Sequence, residues 1–264
     1  MSESPSTETY PDVVLITGAA RGMGANHARA LAARGVHVCV ADIIDTSEVI
    51  AEIERAGGSA SGHHLDVADP AAWARTVDEI RSGPGSLGGL INNAGISRRL
   101  EFMDTPDEIW EQTMRINLFG PFYGIKAVAP LMQENGGGAI VNISSIAGLI
   151  GYFSPAYSSS KWGLTGLSKS AAGNLAKWGI RVNSVHPGLV GTDLVRGADE
   201  FVAASLRSIP TGRKASLDEV TDAVLFLLSD RSGYITGTEV TVDGGLISNG
   251  LYHRVLADAE GKLS

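Results

Sequence analysis

Cysteine is nearly missing from this chain. Cys39 is the only one among 264 residues, so no intrachain disulfide can form. It sits in the mostly apolar run Val36-His37-Val38-Cys39-Val40 and reads as a small buried hydrophobe. No neighbouring charge would hold a thiolate there for nucleophilic work. Long hydrophobic runs are missing too, and none approaches the roughly 18 residues that cross a bilayer. The first dozen residues lack the charged-then-apolar layout of a secretory signal. Positive charge is in short supply: 21 Lys and Arg stand against 29 Asp and Glu, for a net charge of −8. That excludes a phosphate-backbone binder and a protein docked on anionic membranes. The expectation is a cytoplasmic protein with no nucleic acid and no membrane as partner, and with no metal site.

Glycine is plentiful, at 33 residues, as tight turns and close backbone–ligand approaches require. Short β-rich runs alternate with longer helical patterns. The candidate strands are 13–17, 36–41, 60–65, 89–92, 139–143, 181–185 and 238–242. The first, second and fifth are nearly unbroken apolar runs, as in strands covered on both faces. Helical periodicity fills 22–34, 46–57, 70–82, 106–133, 155–178 and 217–229. This alternation predicts an α/β fold, a doubly wound parallel sheet flanked by helices. Nothing breaks the rhythm, so residues 13–264 form one expected domain after a disordered leader at 1–12. Residues 193–216 fit least well. Leu194, Val195, Phe201, Val202, Leu206 and Ile209 among charges describe either a lid over a cleft or an ordinary surface helix. The tail 245–264 carries Leu251, Tyr252, Val255 and Leu256, which would pack on a neighbouring subunit.

The first strand runs into Thr17-Gly18-Ala19-Ala20-Arg21-Gly22-Met23-Gly24, and a helix follows. Gly18, Gly22 and Gly24 permit a tight turn, close approach to a pyrophosphate, and close helix–strand packing. The helix amino terminus presents free N–H groups to the phosphates. A glycine trio is weak alone, but it stands here between a strand and a helix. Asp42, with Ile43 beside it, ends the second strand. An acid there bonds ribose hydroxyls and repels a 2′-phosphate, which favours NAD over NADP. Arg21 pulls the other way, because it could pair with that phosphate. Asp66 and the Val67 N–H are placed to read adenine, although aspartate also caps turns. Asn92-Asn93-Ala94-Gly95 ends the fourth strand with small residues that let backbone approach the adenosine.

Tyr157 and Lys161 are one helical turn apart and share a helix face. A free tyrosine titrates near 10. An adjacent ammonium and a positive nicotinamide ring would favour the phenolate, giving a base usable near neutral pH. Ser144 and Ser145 end the fifth strand, at the sheet edge where ligands bind. A serine hydroxyl there can hold a substrate oxygen. Asn117 is a polar residue in an apolar part of a long helix, so its amide needs a partner. That partner is either a water relaying protons to Lys161 or a neighbouring backbone group.

Taken together, these motifs resemble the main Rossmann-type branch of the short-chain dehydrogenase/reductase family, over about residues 12–248. The resemblance implies a seven-stranded sheet, a catalytic tetrad of Asn117, Ser145, Tyr157 and Lys161, and a homotetramer. Tyr157 and Lys161 would also contact the cofactor, and Lys161 would bind its ribose. The stretch Pro187-Gly188-Leu189-Val190-Gly191-Thr192 would lie against the nicotinamide, with Pro187, Gly188, Val190 and Thr192 in contact. One departure stands out: the family interval from serine to tyrosine is one longer than that from Ser145 to Tyr157, and Ser144 would restore it. Ser145 is preferred because the Ser-x-x-Gly pattern with Gly148 aligns it. Tyr157–Gly166, Val185–Gly188 and Leu227–Asp230 are most similar to bacterial hydroxysteroid dehydrogenases acting at the 3α and 20β positions. The expected activity is hydride transfer between NAD and a secondary alcohol on a lipophilic ring, such as a hydroxysteroid. The alternatives are a sugar, polyol or small cyclic ketone, or a non-catalytic dinucleotide-binding regulator. Arg98 and Arg99 are left to meet either an acidic substrate group or solvent.

Overall fold

A computed structural model describes residues 8–191 and 199–261. Seven parallel strands form one sheet in the order β3-β2-β1-β4-β5-β6-β7. They are β1 (Val13–Thr17), β2 (His37–Asp42), β3 (Ser59–His64), β4 (Leu87–Asn92), β5 (Gly138–Ile143), β6 (Ile180–Pro187) and β7 (Glu239–Val242). The chain leaves β3 at one edge and enters β4 beside β1. That reversal between β1 and β4 opens a crevice at the carboxyl ends of the strands.

Alternation along β1 assigns its two faces. Val14 and Ile16 join one apolar cluster with α1 (Gly22–Ala32), α2 (Ser47–Arg55) and α8 (Leu217–Leu228). Val13 and Leu15 join the other, with α3 (Pro70–Arg81), α5 (Gly120–Glu134) and α6 (Pro155–Leu175). Both faces of β1 are buried, which is why its sequence is apolar throughout. β3 sits at an edge and is largely polar, and its pattern is correspondingly weaker.

The long helix expected at 106–133 is three pieces. α4 (Asp107–Met114) passes into a π-helical turn, Arg115–Phe119, before α5. The Gly120 N–H bonds the Arg115 carbonyl, five residues back. Pro121 has no N–H to offer the Asn117 carbonyl, so the regular ladder cannot continue there. Asn117 stands inside this wide turn, fully buried.

The leader expected at 1–12 does not stay loose at its described end. Thr9 exchanges backbone and side-chain hydrogen bonds with Asp230, and Asp12 accepts from His37 N. Of the expected lid, α7 spans Asp199–Leu206, and Ile209 is buried. Leu194 and Val195 lie outside the described residues. The tail forms α9 (Leu246–Ala259), with Leu251, Tyr252, Val255 and Leu256 exposed. Among the described residues, no helix is long and apolar enough to cross a membrane.

Candidate active site

The glycine loop folds back on the end of β4. Gly18 and Gly22 take positive φ, at 63° and 60°. A Cβ on Gly24 would press on the Gly18 carbonyl and stand 2.6 Å from Asn93 Nδ2. A Cβ on Gly22 would meet nothing, because that position faces open space. Thr17 Oγ1 accepts from the Asn93 and Ala94 N–H groups, at 3.1 Å each. Asn93 Nδ2 donates to the carbonyls of Thr17 and Gly18, at 2.9 Å each. Asn93 therefore holds the loop in shape as well as lining the crevice.

A cavity of about 350 Å³ opens in front of this loop. It is lined by Gly18, Arg21, Gly22, Met23, Asp42, Ile43, Asp66, Val67, Asn93, Ala94 and Gly95, all expected from sequence. Ile44, Leu65, Ile96 and Ile116 also line it and were not expected. Asp42 is held rigidly: its carboxylate accepts from the N–H groups of Ala20, Ile43 and Ile44. The Asp66–Val67 turn is fixed from below by Trp73, whose Nε1 donates to the Val67 carbonyl at 3.0 Å. The open cradle at Gly22, the helix start behind it and the acid at Asp42 fit a nicotinamide dinucleotide.

Pro187, Gly188 and Val190 do not line this cavity. Pro187 ends β6, and the Gly188 N–H bonds the Val242 carbonyl. Val190 is buried and bridges to Ala215. They lie farther along the same carboxyl edge. Thr192 lies outside the described residues.

Tyr157 and Lys161 come from the first two turns of α6. Lys161 is buried, and its Nζ donates to the Ile143 carbonyl at 2.8 Å, beside the end of β5. A Cβ on Gly95, which lines the cavity, would be 3.7 Å from that Nζ. Burial pulls the ammonium down to about 8. The Tyr157 phenol is pushed above its ordinary value, chiefly by burial; a hydrogen bond with Ser145 opposes this. The lowering expected from Lys161 is not what these residues produce by themselves. Lys161 Nζ is 5.7 Å from the Tyr157 ring centre and is committed to a carbonyl.

Ser145 touches Tyr157, whereas the Ser144 hydroxyl is spent on the Lys161 carbonyl at 3.2 Å. His186, which sequence reading did not single out, lies beneath them, fully buried. Its Nδ1 bonds the Ser145 carbonyl at 2.9 Å, and its Nε2 meets Ser184 Oγ at 2.8 Å. The Asn117 side chain bonds a neighbouring backbone segment. Its Nδ2 donates to the Ile96 carbonyl and to Ser160 Oγ, and its Oδ1 accepts from the Ile96 N–H. The amide clamps the loop after β4 onto α6.

Comparison with known proteins agrees with this geometry. Residues 18–247 match the family model described as enoyl-(acyl carrier protein) reductase. The chain is 43% identical to trans-4-hydroxycyclohexanecarboxylate dehydrogenase of Sinomonas cyclohexanicum, covering 88% of this chain and 92% of that one. It is also 43% identical to 3-alpha-(or 20-beta)-hydroxysteroid dehydrogenase of Mycobacterium tuberculosis, covering 91% of each. Among solved structures, gluconate 5-dehydrogenase from Burkholderia cenocepacia, in complex with NADP and tartrate, superposes with a TM-score of 0.87 at 32% identity. That match covers 91% of this chain and 96% of the other. The chain therefore belongs to the short-chain dehydrogenase/reductase family, whose members bind a nicotinamide dinucleotide and act as oxidoreductases on small molecules.

Proposed function

We propose that this protein is an NAD-linked dehydrogenase of secondary alcohols carried on a lipophilic ring. The observation that carries the reading is one cluster at the carboxyl edge of the sheet: Tyr157 hydrogen-bonded to Ser145, with buried Lys161 beside Gly95, a residue that lines the glycine-loop cavity. Tyr157 takes the proton of the substrate hydroxyl. Ser145 holds the substrate oxygen and the phenol in register. Lys161 supplies positive charge under both. Asn117 and His186 position the loop and the serine. A dinucleotide held by the glycine loop and Asp42 would supply the hydride acceptor and, in its oxidised form, a positive ring that favours the Tyr157 phenolate.

Asp42 supports NAD over NADP, since a fixed carboxylate at the ribose repels a 2′-phosphate. The gluconate 5-dehydrogenase complex holds NADP, so the cofactor is a point to measure. Tyr152 and Phe153 support a ring substrate: their rings lie 4.5 Å apart, and Tyr152 is edge-on to Tyr157 at 6.0 Å. The two relatives named above act on a hydroxycyclohexane acid and on hydroxysteroids. A cytoplasmic homotetramer completes the proposal. The test is a panel of cyclic alcohols, steroids and polyols with each dinucleotide. The expected result is turnover of ring alcohols at a kcat/KM at least about a hundredfold higher with NAD than with NADP, for a repulsion of roughly 3 kcal/mol. Equal use of both, or preference for open-chain polyols, overturns it.

A further inference from the structure

We propose that Ser61, His63 and Glu79 form a second reactive site, outside the dinucleotide crevice, in which Ser61 accepts an acyl group from small carboxylic esters.

The site is built on the edge of the sheet. β2 and β3 pair so that His37 stands beside Ser59, Cys39 beside Ser61 and Ala41 beside His63. Alternate residues of a strand share a face, so one face of this pair carries both histidines and both serines. α3 packs over that face and brings Glu79 to it. Five side chains then join in one hydrogen-bonded line. Glu79 Oε2 is 2.8 Å from His63 Nδ1, and His63 Nε2 is 3.0 Å from Ser61 Oγ. Ser61 Oγ is 3.1 Å from His37 Nε2, and His37 Nδ1 is 2.7 Å from Ser59 Oγ. None of the five lines the dinucleotide cavity.

The carboxylate gives the line its direction. An ionised Glu79 only accepts, so His63 Nδ1 carries the proton and, in the neutral ring, Nε2 is a bare acceptor. The single hydroxyl proton of Ser61 goes to that nitrogen. Cys39 Sγ, at 3.5 Å, is a weaker acceptor for it. The lone pairs of Ser61 then face the His37 Nε2–H, and His37 Nδ1 accepts from Ser59. Burial favours the neutral ring at His37 that this order needs. Nucleophile, base and orienting acid in mutual contact are the arrangement that activates a serine. His63 is buried, which holds its ring, while Ser61 and His37 are half-buried and open in part to solvent.

Ser61 Oγ attacks the ester carbonyl as its proton passes to His63 Nε2. The His37 Nε2–H turns from Ser61 Oγ to the carbonyl oxygen, where negative charge develops. The bond to the alkoxide breaks, and His63 returns the proton to it. The products are a free alcohol and an acyl ester on Ser61. Water repeats the exchange, which releases the carboxylic acid and restores Ser61. Glu79 acts only through His63 and is a positioning residue.

The probe is 4-nitrophenyl acetate, with nitrophenol release followed by absorbance and the acetyl group located by peptide mass spectrometry. Wild type should carry acetyl on Ser61. S61A should lose that adduct and the nitrophenol release that goes with it. H63Q should slow acetylation by about a hundredfold or more, as removal of a positioned base warrants. E79A should also slow it, and E79Q, which keeps an acceptor for the His63 Nδ1–H, should restore part of the rate. Glu79 is exposed, so E79A leaves the core intact and its denaturation midpoint serves as the check. Acetyl found only on other residues overturns the proposal, as does undiminished release by S61A. An E79A protein acetylated on Ser61 at the wild-type rate overturns it too, since the line would then only fasten α3 to the edge strand.

Discussion

Lys161 shows how one residue's burial carries both a cost and a use. An unfolded lysine titrates near 10.5, and in the fold burial brings it down to about 8. Between those values the unfolded chain binds more protons than the folded one, so the fold gains stability as pH rises through the window. The unfolding free energy of wild type minus that of K161M should therefore grow by roughly 3 kcal/mol between pH 8 and 10.5. Denaturant titrations across that range check it, and a flat difference would show that Lys161 is not desolvated. Taking the difference removes other groups that titrate nearby, Cys39 among them, whose buried thiol is pushed up to about 11. At this scale much was legible in the sequence. Gly18, Gly22, Gly24 and Asp42 are set by their order along one strand–turn–helix–strand unit, so spacing alone finds them. His186 was not legible. Its contact with Ser145 joins β6 to the end of β5, and only the folded sheet brings the two together.

At the scale of elements, the break between α4 and α5 matters most. Hydrophobic periodicity runs through 106–133, because the same face stays buried on both sides of the π turn. The sequence therefore reads as one helix. The turn puts Asn117 where its amide can close on Ile96 and Ser160 together. N117A would strand the Ile96 N–H and carbonyl, and should cost about 2–4 kcal/mol, with a lower denaturation midpoint and an unchanged slope. An unchanged midpoint would mean that the post-β4 loop stands without the clamp. Ser144 and Ser145 differ for an equally local reason. The short 3-10 turn Ile146–Gly148 directs Ser145 to Tyr157, while Ser144 turns back to the Lys161 carbonyl. Interval counting in the sequence favoured Ser144, but adjacent residues on a strand end point to opposite sides, and it is Ser145 that meets Tyr157.

At the scale of the whole molecule, the doubly wound parallel sheet followed from strand–helix alternation, because buried parallel strands announce themselves as apolar runs, while the strand order is read from the fold. The surface was less legible. Phe119, Phe122, Trp162, Leu251, Tyr252, Val255 and Leu256 are all exposed in the single chain. Phe119, Phe122 and Trp162 look the same in sequence as core residues, whereas Leu251, Tyr252, Val255 and Leu256 stand apart in the tail beyond the last strand. The proposed homotetramer accounts for them, and the four on α9 belong to one continuous helix. Sedimentation should give a species larger than the monomer, and L251D with L256D should shift it to a smaller one. A wild-type monomer would contradict the assembly.

The central claim is that Tyr157 moves the proton of a ring alcohol whose hydride goes to NAD. Turnover by Y157F, measured beside its NADH affinity, tests that claim most directly. A positioned base contributes about a hundredfold to ten-thousandfold, so kcat should fall by at least that lower figure. NADH affinity should change by no more than about threefold, since the ring and its packing remain. Y157F turning over a ring alcohol at the wild-type rate would contradict the account.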